Sequence, residues 1–126
     1  MSDPDAPIRV LLVEDSDVYR ESLVFLLGGR QDLEVVGAVA DGAATVRAVR
    51  ELRPDVVVLD YRLPDVDGGT VAADLEAEGA RPAIVFLSAS AGREEYDAAS
   101  SAGAALVRKD EGIDALVRAV RAAAGR

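Results

Sequence analysis

The chain has 126 residues, half of them hydrophobic and 29% charged, with no cysteine, no histidine and a formal net charge of −9. That is room for one packed domain of ordinary globular composition and not for two. Disulfides, thiolate metal sites and every form of imidazole chemistry are excluded, so any metal site must be built from oxygen. The acidity, with Lys and Arg scattered rather than clustered, also argues against direct binding of nucleic acid. No window is long and apolar enough to span a membrane. Residues 1–7 form a short, polar, acidic tail without the basic start and apolar stretch of a secretory signal, so a cytoplasmic location is expected.

Short apolar runs alternate with helical patterns along the chain. Residues 8–13 read as a buried strand ended by Glu14 and Asp15. A helix from about Asp17 carries Tyr19, Leu23, Leu26 and Leu27 as one apolar stripe, and Gly28–Gly29 stops it. Residues 33–40 are a second strand, followed by an Asp41–Gly42 turn. Val46, Val49 and Leu52 mark the next helix, closed by Pro54. Residues 56–59 are an unbroken apolar strand tipped by Asp60, and 61–69 are a loop rich in Pro, Asp and Gly. A helix is predicted over 70–78, a strand over 83–87, an Ala-rich helix over 93–101 and a short strand over 104–107. The last helix places Ile113, Leu116, Val117 and Val120 on one face. Strands that are continuously apolar, rather than alternating, lie in a sheet covered on both faces. Five strands alternating with five helices predict a doubly wound parallel α/β sheet occupying residues 8–124.

Ligands of such sheets bind outside the carboxyl ends of the strands, and those ends carry Glu14–Asp15, Asp60, Ser88 and Lys109. Taken singly, each has a structural explanation. Asp15 or Ser16 would equally cap a helix, Asp60 would begin a turn, Ser88 would be a cap and Lys109 a solvated strand end. Together they are hard to explain by capping, which needs neither two adjacent acids on one strand nor a third acid and a lone base on others. Clustered carboxylates call for a hard divalent cation, Mg²⁺ or Mn²⁺. The set suits phosphoryl transfer to a carboxylate. In that chemistry Asp60 is the nucleophile, Lys109 pairs with one phosphoryl oxygen and the Ser88 hydroxyl holds another.

Over residues 8–124 the sequence closely resembles the receiver domain of two-component response regulators. The resemblance rests on Leu12-Val13-Glu14-Asp15, Val57-Val58-Leu59-Asp60, the loop Leu63-Pro64-Asp65-Val66-Asp67-Gly68, Ser88-Ala89 and Lys109. It implies a flavodoxin-like (βα)5 fold of strand order 2-1-3-4-5, with Asp60 as phosphoacceptor and a sensor histidine kinase as donor. It implies Mg²⁺ held by Asp15, Asp60 and the backbone carbonyl of Arg62, with Glu14 reaching the metal mainly through water. The backbone N–H groups of Arg62 and Ala89 would help hold the phosphoryl oxygens. On this reading the chain is a signalling switch rather than an enzyme acting on other molecules, and homodimerisation on phosphorylation is an available output.

The Lys109-Asp110 ending and the Arg62-Leu63-Pro64-Asp65 loop look most like the subfamily with a C-terminal helix-turn-helix, DNA-binding output domain, which these 126 residues do not contain. Two positions depart from the family pattern. Leu106 stands where most receivers carry the Tyr or Phe that swings inward on activation. Asp110 replaces the proline that often follows the lysine, and a cis bond before it would cost about 3 kcal/mol or more. Acceptor chemistry is therefore expected to be intact and the conformational readout altered. Two other chemistries of similar fold are disfavoured. Glu14–Asp15 would repel the phosphate of a flavin in a flavodoxin, and Arg62 stands where a haloacid-dehalogenase-type phosphatase needs its second acid.

Overall fold

The computed structural model describes residues 6–80, 82–90 and 92–126; the first five residues of the expected tail lie outside the described part. Five strands alternate with five helices: β1 Ile8–Val13, α1 Asp17–Gly28, β2 Leu33–Val39, α2 Gly42–Leu52, β3 Val56–Asp60, α3 Gly68–Ala77, β4 Ala83–Ser88, α4 Arg93–Ala102, β5 Ala105–Arg108 and α5 Ile113–Ala123. The sheet is parallel throughout, in the order β2-β1-β3-β4-β5, as expected. No helix among the described residues is long and apolar enough to cross a membrane.

Alternation along the strands divides the core into two layers. Val10 and Leu12 of β1, Val56 and Val58 of β3, Val85 and Leu87 of β4 and Val107 of β5 pack with Leu23 and Leu27 of α1 and Leu116, Val117 and Val120 of α5. The intervening residues Leu11, Val13, Val57, Leu59 and Phe86 face α2, α3 and α4, meeting Val49, Val71, Leu75 and Ala99. Because both faces are covered, β3 is buried along its whole length, and this is why its sequence shows no polar break.

Element boundaries differ from the sequence reading where an Asp serves as a helix cap. Asp41 does not make a free-standing turn; its side chain accepts the N–H of Ala44 at 2.8 Å and starts α2. Asp67 does the same for Thr70 at 2.8 Å, so α3 begins two residues before the expected Thr70. Strand β5 lies one residue later than expected, so Lys109 follows it directly and opens a short 3₁₀ turn, Lys109–Glu111. The Lys109–Asp110 bond is trans, as are all peptide bonds among the described residues. The α1 stripe is narrower than its spacing predicts. Leu23 and Leu27 are buried but Leu26 is 42% exposed, because it falls on the flank of α1 that borders the groove toward α5.

Candidate functional site: an acidic pocket at the carboxyl edge of the sheet

The strand register determines which end residues meet. Glu14 continues the Val10–Leu12 series of β1, Asp60 the Val56–Val58 series of β3, and Lys109 follows Val107 of β5 by two. All three thus extend the positions that face α1 and α5. Ser88 continues the opposite series, after Ile84 and Phe86. Crossing from β5 to β3, the Lys109 Nζ reaches Glu14 Oε1 at 2.6 Å and Asp60 Oδ2 at 3.2 Å. Glu14 is completely buried and Asp60 is 4% exposed. Burial alone would lower the Lys109 pKa, but the hydrogen bond to Glu14 and the charges of Asp60 and Glu14 outweigh it and hold the ammonium above its ordinary range.

Local structure assigns the remaining duties. Ser16, not Asp15, caps α1: its side chain accepts the N–H of Tyr19 at 3.3 Å. Asp15 is left exposed at the mouth of the pocket. One carboxylate oxygen from each of Glu14, Asp15 and Asp60 can be chosen so that all lie within 4.8 Å of one another. Three carboxylates against one ammonium leave two negative charges uncompensated there, which is the deficit a divalent cation fills, and the donors are all oxygen. The residues fit such an ion. Arg20 does not fill that deficit, since its guanidinium donates to the Glu14 backbone carbonyl at 2.8 Å and to Asp17 at 2.5 Å.

The Arg62 backbone N–H donates to Asp60 Oδ1 at 3.2 Å, so one of the expected anion-holding groups already points at the Asp60 carboxylate. The Ser88 hydroxyl is buried and turned into its own loop. It donates to the Ser90 carbonyl and accepts the Ser90 N–H at 3.2 Å. Ala89 follows at an exposed bend. Close approach of α3 also shapes the pocket floor. A Cβ on Gly68 would stand 2.9 Å from the Phe86 ring and 3.0 Å from the Tyr61 Cα. With no side chain in the way, the Gly68 N–H donates to the Tyr61 carbonyl at 2.5 Å.

Three features escaped the sequence reading. Tyr19, read there as part of a core stripe, has its ring centroid 4.7 Å from the Lys109 Nζ; its place one helical turn after Asp15 was the available signal. Burial raises its phenol pKa, opposed by the charge of Lys109. Next, the loop after Asp60 is tied to α4. The Tyr61 hydroxyl donates to Glu94 at 2.9 Å, and the Arg62 guanidinium lies 3.2 Å from the buried Glu95 carboxylate, which also accepts the Gly92 N–H at 2.7 Å. Burial and the Glu94 bond push the Tyr61 pKa up to about 12. Finally, Asp65 in the same loop accepts the N–H groups of Gly42 and Ala43 at 2.9 and 3.0 Å, capping α2 from a distance.

A cleft of about 600 Å³ between α3 and α4, bordered by Gly69, Ala72 and Ala98, gathers no cluster of carboxylates among the described residues; the chemistry singles out the acidic pocket. A family model described as the response regulator receiver domain matches residues 10–121. The chain belongs to this family. The receiver domain of the response regulator NarL from Mycobacterium tuberculosis is similar in structure, with a TM-score of 0.88 at 32% identity over 96% of this chain and 99% of that one. The response regulator domain of Thermotoga maritima CheB has a TM-score of 0.85 at 26% identity, covering 95% and 98% of the two chains. Among curated proteins, the transcriptional regulatory protein BtsR of Salmonella typhi is 44% identical over 82 residues, 65% of this receiver chain and 34% of the relative. A protein-glutamate methylesterase/protein-glutamine glutaminase of Myxococcus xanthus is 39% identical over 131 residues, 95% of this chain and 38% of its own length. The chain therefore spans about a third of the length of these curated relatives, 34% and 38%.

Proposed function

We propose that this receiver domain accepts a phosphoryl group on Asp60 from a sensor histidine kinase and passes the event to an output surface. The observation that carries the reading is the half-buried Lys109 ammonium bridging the buried Glu14 and Asp60 carboxylates at the sheet edge, with Asp15 beside them. The carboxylate of Asp60 meets no competing thiolate or imidazole nucleophile, the chain having no cysteine or histidine. It attacks phosphorus in line with the departing nitrogen of the kinase, giving an acyl phosphate. Lys109 pairs with one phosphoryl oxygen, and the N–H groups of Arg62 and Ala89 receive others. The Ser88 hydroxyl joins them once it turns from Ser90. Glu14, Asp15, Asp60 and the Arg62 carbonyl would hold Mg²⁺. Bound there, the ion offsets the charge that develops in transfer.

The output is proposed to be transcriptional. The Arg62 loop and the Lys109–Asp110 ending resemble receivers joined to a helix-turn-helix domain, and BtsR is a transcriptional regulatory protein. The methylesterase relatives carry a different output, so output type follows from what the receiver is joined to. The acceptor assignment is tested by incubating the protein with Mg²⁺ and acetyl phosphate and weighing it intact. One added phosphoryl group is expected in the wild type and none in Asp60→Asn; no addition to the wild type, or an addition that persists in Asp60→Asn, rejects it.

A further inference from the structure

We propose that Tyr19 is a positioning residue for phosphoryl transfer, its ring face holding the Lys109 ammonium against the acceptor side of the pocket. The inference rests on the acceptor reading of Asp60. Lys109 comes from the far end of the sheet, and two of its three N–H bonds go to Glu14 and Asp60. Glu14 is the nearer partner, at 2.6 Å against 3.2 Å, so the ammonium is biased toward the residue that is not the acceptor. The Tyr19 ring, 4.7 Å from Nζ, attracts the same charge without demanding a fixed direction, because the π-face is broad where a carboxylate lone pair is directional. Nζ can then swing from Glu14 toward a phosphoryl oxygen while staying over the ring.

The ring is itself held in place. Tyr19 sits in the first turn of α1, its N–H bonded to the Ser16 cap. Its side chain packs partly into the α1/α5 layer of the core. Tyr19, Lys109, Leu26 and Ile113 border a cleft of about 240 Å³ between α1 and α5. The ring thus forms part of the wall beside Lys109 on that side, where a smaller side chain would admit water to the ion pair between Lys109 and the phosphoryl group. In the forward step an Asp60 oxygen bonds to phosphorus, the bond from phosphorus to the acetate oxygen breaks, and acetate leaves with the electron pair. Loss of the phosphoryl group is attack of water on phosphorus, returning the Asp60 carboxylate and inorganic phosphate, which takes the water proton.

The test compares wild type with Tyr19→Phe, Tyr19→Leu and Tyr19→Met, the last as a second aliphatic variant if the leucine variant folds poorly. Uptake from acetyl phosphate with Mg²⁺ is followed by intact mass. At saturating donor the aliphatic variants are expected to be about threefold to tenfold slower. The half-saturating donor concentration should be unchanged, and Tyr19→Phe should match wild type. A second readout needs neither metal nor donor. The Lys109 ε-methylene protons should show an upfield ring-current shift in wild type and Tyr19→Phe, and not in the aliphatic variants. Aliphatic variants at wild-type rate, a phenylalanine variant as slow as they are, or an unshifted Lys109 in wild type would each overturn the proposal. Wild type that takes up no phosphoryl group while Lys109 shows the ring-current shift would overturn the acceptor assignment instead.

Discussion

Glu14 has no exposed surface, and its carboxylate is satisfied by the Lys109 ammonium at 2.6 Å and the Ser16 backbone N–H at 3.2 Å. A buried carboxylate deprived of its cation keeps its desolvation cost without the compensating attraction. Lys109→Met, which keeps the length of the side chain and removes the charge, should therefore lower stability by roughly 2 kcal/mol in metal-free buffer. Millimolar Mg²⁺ should restore part of that loss by binding linkage. It should also stabilise the variant more than the wild type, since the competing ammonium is gone. Urea denaturation with and without Mg²⁺ reads both effects. A midpoint unmoved by the substitution would contradict the Glu14–Lys109 pairing.

At the scale of elements, the β3–α3 loop is fastened on two sides, to α2 through Asp65 and to α4 through Tyr61 and Arg62. Its own closure depends on Gly68, where an added Cβ would press on Phe86 at 2.9 Å and on the Tyr61 backbone at 3.0 Å. Gly68→Ala should push the start of α3 off the sheet and cost roughly 1–3 kcal/mol, as overpacked sites do. Thermal unfolding checks it, and an unchanged midpoint would show that the contact yields without strain. Acid should loosen two ties, that of α5 to Asp32 ahead of β2 and that of this loop to α2. The side-chain bond from Arg121 lowers the Asp32 pKa, and the backbone N–H of Gly42 lowers that of Asp65. With folded values below unfolded ones, both contributions are complete above the ordinary carboxylate pKa of about 4 and are lost as pH falls through the depressed folded values. Asp65→Asn should flatten that acid limb of the stability curve, and an undiminished limb would remove Asp65 from the account.

Across the whole molecule, what differs from the family pattern is the residue at position 106 in β5. Leu106 lies against the α2–α4 layer, and an aliphatic side chain there cannot act as the aromatic that other receivers turn inward. The ties from Tyr61 to Glu94 and from Arg62 to Glu95 instead join the residues after Asp60 directly to the first turn of α4. On phosphorylation, amide shifts in proton–nitrogen correlation spectra are therefore expected along the loop after Asp60 and the first turn of α4, with β5 moving less. Arg62→Ala should reduce the α4 part. Shifts centred on Leu106 and its β5 neighbours would mean that the usual strand pathway operates without its aromatic.

The sequence by itself determined the sheet and the residue types at its edge, because strands buried on both faces must be continuously apolar and their polar tips stand out by contrast. The identity of the family was legible in the motifs of the chain, and the order 2-1-3-4-5, which spacing alone does not give, was expected only through that resemblance. Caps were less legible: Asp41 and Asp67 offer the same side chain to a turn or to a helix N-terminus, and only the backbone that follows distinguishes the two. Only the tertiary structure decided which partners the site residues take. Lys109 is 95 residues from Glu14 and Arg62 is 33 from Glu95, separations at which periodicity carries no information. Strand register and helix placement bring those charges within hydrogen-bond range, and the same packing sets the Tyr19 ring over the ammonium of Lys109.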